Sequence, residues 1–310
     1  MKAAVIPASG IGDGLMMMIA SHRLQMQGYA VTTYHSKLPE LADWFSTHRI
    51  ECNYEDLSDF DLIILQNDNS AKAKELIRLF RAGDLPNLSV FYPTFEPQKH
   101  GEPTSLDQIF DPNKPMADNI AESVGHLLHT REISKNNGLT PPENLTYKKY
   151  PKRIIIHATA GEQNKIWPLD NFIWVAKKLE KLGYQPVFAL SPIERKTIQV
   201  PYETPYFENF SFLAEYLYES GGLIGNDSSI GHLASNFHLP TVVVSNCSKR
   251  MKLWKPGWLN GEVVTPPRWI PNFKGSRVRK TRWRFLTPPS RVLKKFKTQM
   301  AFSLPSHNIV

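Results

Sequence analysis

The chain has 310 residues, 41% hydrophobic and 21% charged, which leaves enough apolar material for two soluble domains of roughly 150 residues each. No run of about 18 apolar residues occurs, so a membrane-spanning helix is excluded. Two cysteines, Cys52 and Cys247, suit a reducing cytoplasm and supply neither a disulfide framework nor a metal site. The net charge of +8 is uneven: from Val263 to Val310 there are eleven Lys or Arg and no Asp or Glu. That asymmetry points to an anionic partner for the C-terminal segment, against the plainer reading of a solvated helix face.

The opening residues are apolar, but Gly10, Gly12, Asp13 and Gly14 interrupt any leader-like core. "KAAVIPA" is predicted as a strand ending in a Gly-rich turn, and "LMMMIASHRLQMQG" as a helix with a glycine stop. "YAVTTYH" is the next strand, "LPELADWFSTHRI" a helix, "FDLIILQN" a buried strand, "AKAKELIRLF" a helix and "LSVFYP" a strand. A helix over "MADNIAESVGHLLHTREI" precedes the polar, Pro-rich "SKNNGLTPPENLTYKKYPK", the natural linker. The alternation then restarts. "RIIIHATAG" and "YQPVFAL" are strands, with "PLDNFIWVAKKLEKLG" a helix between them. The helix "FENFSFLAEYLYESG", the strand end "GLIGND", the helix "SIGHLASNFH" and the strand "TVVVSN" follow. Strands separated by helices imply βαβ units and parallel sheets, hence a two-lobed α/β protein. The lobes are expected at 1–145 and 146–285, with 286–310 a basic helix or tail whose Val292, Phe296 and Met300 give it an apolar side that can return to the first lobe.

Ligands of open parallel sheets bind beyond the carboxyl ends of the strands, and three segments there are polar. In "PASGIGDG", Ser9, Gly10 and Gly12 let a backbone approach a ligand, and the following helix offers unpaired N–H groups. Asp13 reads either as the helix N-cap or as a base. In "HATAGEQNKIWPLDNF", Thr159 supplies a hydroxyl and Lys165 a cation beside a helix start, where a cation is unfavourable unless an anion is bound. Trp167 is either a flat ring at the site or a lid on the core. In "GNDSSIGHLAS", Asp227, Ser228, Ser229 and His232 crowd the start of a helix after an apolar strand, a combination suited to an anion without a metal.

The last segment, continued as "GNDSSIGHLASNFHLPTVVV", resembles the G-N-D-T-G-x-x-H-L-A-A-x-x-x-x-P-T-V signature of the heptosyltransferases, glycosyltransferase family 9. Ser228-Ser229 stands where that pattern has Thr-Gly. "HATAGEQNKIWPLDNFIWVAKKL" resembles the same family's strand, Lys-x-Trp-Pro turn and helix, and "IPASGIGDGLMMMIASHRL" its N-terminal motif. The three occur in the family's order. The resemblance implies a GT-B fold, two Rossmann-like parallel-sheet lobes with the active site in the interlobe cleft. It implies inverting, metal-independent transfer from a nucleotide-diphosphate sugar, typically ADP-heptose, to a lipopolysaccharide-core or related surface-glycan acceptor, with no cofactor.

On this reading Asp13 is the general base, and Ser9, Gly10 and Gly12 form the acceptor-side loop. Thr159, Lys165, Trp167, Asp227, Ser228, Ser229 and His232 hold the nucleotide sugar, and Glu194 in "SPIERK" takes its ribose. A relative using another sugar, and a GT-B module that binds without turnover, are the alternatives. A lipid-anchored, phosphorylated acceptor would bring the enzyme to the cytoplasmic face of the inner membrane. Lys274, Arg277, Arg279, Lys280, Arg282 and Arg284, interleaved with Phe273, Trp283 and Phe285, then suit an anionic interface. Nucleic acid is the rival partner of this segment, but no RNA-binding motif accompanies it.

Overall fold

The computed structural model describes residues 1–258, 261–273 and 276–303, so Lys274 lies outside the described residues. The chain forms two compact units, Met1–Glu143 and Asn144–Val310. The division falls inside the polar, Pro-rich stretch. Among the described residues no helix is long and apolar enough to cross a membrane.

The first unit runs β1 (Lys2–Ile6), α1 (Ile11–Met26), β2 (Ala30–Tyr34), β3 (Arg49–Glu51), β4 (Leu62–Gln66), α2 (Ala71–Ala82), β5 (Leu88–Tyr92), α3 (Pro97–His100), β6 (Gln108–Ile109) and α4 (Met116–Leu127). Its six strands are all parallel, in the order β3-β2-β1-β4-β5-β6. Near-continuous apolar strands such as β4 and β5 are buried on both faces, as a covered parallel sheet requires. Ile63, Leu65, Leu88 and Val90 pack with Ala73 and Leu76 of α2. Helix α1 packs against α4 and buries Leu15 through Ala20 without a break, a helix apolar nearly all round because it lies between layers. Helix α2 buries only Ala73 and Leu76, so its lysines and arginines face outward.

The helix predicted over "LPELADWFSTHRI" is corrected. Leu38–Phe45 is a 3₁₀ segment with non-helical backbone at Leu41. Its buried Leu38, Leu41 and Trp44 recur every three residues, the period of a 3₁₀ and not an α-helix. The following Arg-Ile is claimed by β3, where Ile50 pairs with Thr33.

The second unit runs β7 (Tyr150–His157), α5 (Leu169–Glu180), β8 (Gln185–Phe188), α6 (Phe210–Tyr218), β9 (Ser220–Asn226), α7 (Ser229–Asn236), β10 (Thr241–Val244), α8 (Arg250–Trp254), β11 (Gly261–Val264), α9 (Val278–Thr281) and α10 (Pro289–Ser303). Its five parallel strands lie in the order β11-β10-β9-β7-β8. Ile154, Ile156, Val242 and Val244 pack with Phe172, Val175 and Leu179 of α5. Helix α10 joins this core through Val292 and Phe296, both fully buried. The C-terminal helix therefore packs within the second unit, where the sequence alone allowed a return to the first; the second sheet's own apolar face is the nearest cover for those side chains.

Each sheet has one place where the strand order reverses direction, between β1 and β4 in the first and between β7 and β9 in the second. Loops leaving the carboxyl ends of such strand pairs diverge and open a crevice. All three polar segments of the sequence lie at these two places.

Candidate functional site

At the first reversal, strand β1 hands over to α1 through Pro7–Gly10. Gly10, not Asp13, is the N-cap, and Asp13 sits in the first helical turn. There its charge complements the helix dipole while the carboxylate points across the break in the sheet. Gln66, at the carboxyl end of β4, donates from Nε2 to Asp13 Oδ1 at 2.5 Å, and its Oε1 accepts from the Ala8 N–H at 3.2 Å. Gly10 leaves room for that carboxylate: a Cβ there would lie 2.5 Å from Asp13 Oδ2. His35, at the end of β2, accepts the backbone N–H groups of Lys37 and Leu38 at Nδ1 and therefore donates from Nε2 to the Gly10 carbonyl, at 3.2 Å. Burial lowers its pKa, so the ring is neutral and fixed in one tautomer. A cavity of about 310 Å³ opens beside this arrangement, lined by Ser9, His35, Asn53, Gln66, Asp68 and Lys72 among others.

At the second reversal, His157 ends β7 and links two of the predicted residues. Its Nε2 lies 3.2 Å from Thr159 Oγ1 and its Nδ1 lies 3.2 Å from Ser228 Oγ. Ser228 is the N-cap of α7 but makes no side-chain cap bond, because its hydroxyl is turned to His157. Burial lowers the His157 pKa against the nearby Glu194 charge. Burial also pushes Glu194 upward, but hydrogen bonds from Ser191 and Thr159, with His157 beside it, hold that carboxyl below its ordinary value. Thr159, Glu194 and Ser228 thus form one cluster around a neutral imidazole.

A second cluster adjoins it. Asp227, nearly buried, pairs with Arg250 at 2.8 Å. His232 is 6% exposed and its Nδ1 has no hydrogen-bond partner among the described residues. Burial, partly opposed by Asp227, takes its pKa down to about 4. Lys165 pairs with Glu162, and Asn246 donates to the Asn164 carbonyl at 3.0 Å. Ser229 begins α7, so its backbone N–H is one of the unpaired donors of that helix.

Trp167 is corrected: it is fully buried and presents no surface to a ligand. Its ring packs edge-on against Phe172, and its indole N–H donates to the Thr287 carbonyl at 3.0 Å. Its backbone N–H reaches Asn226 Oδ1 at 3.0 Å, tying the Lys165 turn to the end of β9. Two members of the basic segment are likewise structural. Trp283 is buried in the same core, and Arg284 donates to the carbonyls of Ile166 and Gln163 at 2.8 and 2.6 Å.

Sequence reasoning missed Gln66, His35, His157, Asn226 and Arg250. The signals were present for Gln66, His157 and Asn226, each the polar last residue of a strand with an apolar run, whereas His35 follows β2, which itself carries two threonines. Arg250 carries no such mark, because its partner Asp227 is 23 positions away.

Two Rossmann-like parallel-sheet units, each with polar loops at its reversal, have the GT-B fold. Residues 122–257 match the family model described as glycosyltransferase family 9 (heptosyltransferase). Among solved structures, E. coli ADP-heptose lps heptosyltransferase II superimposes with a TM-score of 0.68 at 15% identity, covering 97% of this chain and 99% of that one. The glycosyl transferase family 9 structure from Veillonella parvula gives 0.64 at 14% identity, covering 97% and 98%. E. coli heptosyltransferase WaaC with ADP gives 0.59 at 12%, covering 96% and 100%. No curated protein matches the chain in sequence.

Proposed function

We propose that this chain transfers a heptose from ADP-heptose to a saccharide acceptor of the lipopolysaccharide-core type, with inversion at the anomeric carbon. The observation that carries the reading is the fixed Asp13 carboxylate at the first reversal, in a chain whose second unit gathers hydroxyls and cations around a helix start. Asp13 removes the proton of the acceptor hydroxyl. That oxygen forms the new bond to the anomeric carbon as the bond to the diphosphate oxygen breaks, and ADP departs with the bonding pair. The N-terminus of α7, the hydroxyls of Thr159 and Ser228, and the cations Lys165 and Arg250 take up the charge that develops on the diphosphate, the role a metal fills elsewhere. His232, neutral and buried, has a ring nitrogen unpaired among the described residues for the same group, and Glu194 is the acceptor for ribose hydroxyls. Support for the donor comes from likeness to heptosyltransferase structures holding ADP and ADP-2-deoxy-2-fluoro heptose.

The acceptor's membrane anchor would bring the basic C-terminal segment to an anionic surface. Trp269, Phe273 and Phe285 are 83%, 64% and 78% exposed among Arg268, Arg277, Arg279, Lys280 and Arg282, an arrangement suited to insertion at an interface.

The test is transfer itself. Purified protein with ADP-heptose and truncated lipopolysaccharide cores should yield a heptosylated product and ADP, with the anomeric configuration opposite to the donor's by NMR and the rate unchanged by EDTA. Absence of product with ADP-heptose, alongside turnover of another nucleotide sugar, would replace the donor.

A further inference from the structure

Both cations of the second reversal are held by carboxylates of the chain itself. Arg250 pairs with Asp227 at 2.8 Å, and Lys165 pairs with Glu162, three residues earlier. The two pairs differ in burial. Asp227 is nearly buried, whereas the Glu162 side chain is 56% exposed and that of its partner Lys165 only 20%. The hydrogen bond from Lys165 holds the Glu162 carboxyl below its ordinary value, and the nearby Arg250 charge adds to that pull. Glu162 is therefore ionised and faces both cations.

The turn that carries Lys165 is fastened from three sides. Arg284 donates to the carbonyls of Ile166 and Gln163, Asn246 donates to that of Asn164, and the Trp167 N–H reaches Asn226. Glu162 stands just before this turn, in extended backbone, and its side chain makes no cap bond to it. Its contact with Lys165 is an exposed pair of the kind that contributes little to stability. Such a carboxylate turns out to solvent at little cost, while the turn keeps Lys165 in place.

We infer that Glu162 discriminates the product of the reaction from its donor, occupying Lys165 while the site is empty and repelling ADP once the sugar has left; the inference rests on the reading of Lys165 and Arg250 as diphosphate ligands. Each phosphate of a nucleotide-diphosphate sugar is esterified on both sides and carries one negative charge. When the bond to the anomeric carbon breaks, the bonding pair stays on the terminal phosphate, whose second ionisation lies near pH 6, so ADP carries about one further negative charge. Lys165 and Arg250 alone would hold the more highly charged product tighter. Glu162 opposes that preference, because its repulsion also grows with the charge of the ligand, and so favours ADP release.

The full chain is titrated calorimetrically with ADP and with ADP-glucose, an analogue with the diphosphate charge of ADP-heptose, at about pH 8 and low salt. Glu162→Gln binds ADP about tenfold more tightly and ADP-glucose about threefold, the scale of one unit charge removed a few ångström away in partly screened surroundings. The difference narrows at about 0.5 M salt, and Glu162→Asp, which keeps the charge, retains the parental ratio of the two affinities. Unchanged or weaker ADP binding by a folded Glu162→Gln overturns the inference and leaves the pair a turn contact; equal tightening of both ligands overturns it as well. If neither adenine ligand binds but UDP and UDP-glucose do, with the same response to Glu162→Gln, the role of Glu162 stands and the ADP-heptose donor falls.

Discussion

Gln66 clamps Asp13 across the break between β1 and β4, donating to one carboxylate oxygen while its own carbonyl is fixed by the Ala8 N–H. The amide has only one orientation that satisfies both bonds, so the carboxylate is held before any substrate arrives. Asp13→Asn is expected to lower kcat by about 10²–10⁴-fold, the range of a lost general base, with ADP affinity kept. Gln66→Leu should cost less, up to about 10²-fold, because the base survives but is misplaced. Steady-state kinetics beside ADP titrations separates the two. Full activity in Asp13→Asn would leave that residue a first-turn dipole partner worth only about 0.5 kcal/mol.

Gly10→Ala tests the same carboxylate from the opposite side. The added methyl would overlap Asp13 Oδ2 without changing the hydrogen-bonding inventory of the loop. The backbone of Gly10 is extended, φ −75° and ψ 135°, so alanine meets no conformational penalty. A lower kcat with an unchanged melting temperature is expected. Lost folding would instead show the contact to be one of packing.

His157 carries a pH prediction. A neutral imidazole donates to one of its two hydroxyl neighbours and accepts from the other; the protonated ring must donate to both. Its folded pKa lies below the ordinary 6.5, as does that of His232, at about 4. The unfolded chain therefore binds more protons as pH falls below about 6.5, and stability present above that pH is lost as pH drops through the folded values. Urea unfolding between pH 7 and 4 should show this slope, reduced in His157→Gln and in His232→Asn. ADP affinity should fall over the same range in the parent protein, and less in His157→Gln.

Alternation of apolar strands and helices shows in the sequence because parallel sheets bury their strands on both faces, and this pattern is local. The three ligand segments show for the same reason, since polar residues at the ends of buried strands are conspicuous. Residues that act across the sheet are not visible in this way. Gln66 and Asp13 are 53 positions apart, and His157 and Ser228 are 71. Only the strand order makes either pair neighbours. Trp167 shows the converse: its place in a Lys-x-Trp-Pro turn suggests a ligand, yet the 3.0 Å bond from its indole to Thr287 depends on a segment 120 positions later.

Trp167→Ala should accordingly act on stability, by about 3–5 kcal/mol for a buried aromatic replaced by alanine. Trp167→Phe removes only the indole hydrogen bond and part of the volume. Folded Trp167→Phe is expected to bind ADP with parental affinity and to unfold at lower urea concentration. A large loss of ADP affinity with unchanged stability would return the ring to the binding surface.

The proposed membrane contact is best tested by substitution, because the segment proposed to make it also holds the fold. Truncation before Trp283 would remove the buried indole, the Arg284 bonds to the Lys165 turn and the Val292 and Phe296 anchors of α10. Trp269→Ser/Phe273→Ser/Phe285→Ser removes three exposed rings and leaves the core alone. If these rings enter the interface, the triple variant should lose most of its binding to vesicles containing anionic lipid while keeping its circular dichroism spectrum and ADP affinity. Raising the salt should weaken the parent's binding only in part, since screening removes the charge attraction of the arginines but not the burial of the rings. Unchanged vesicle binding by the variant would dismiss the aromatic contact, and binding abolished by salt alone would make the attachment purely electrostatic.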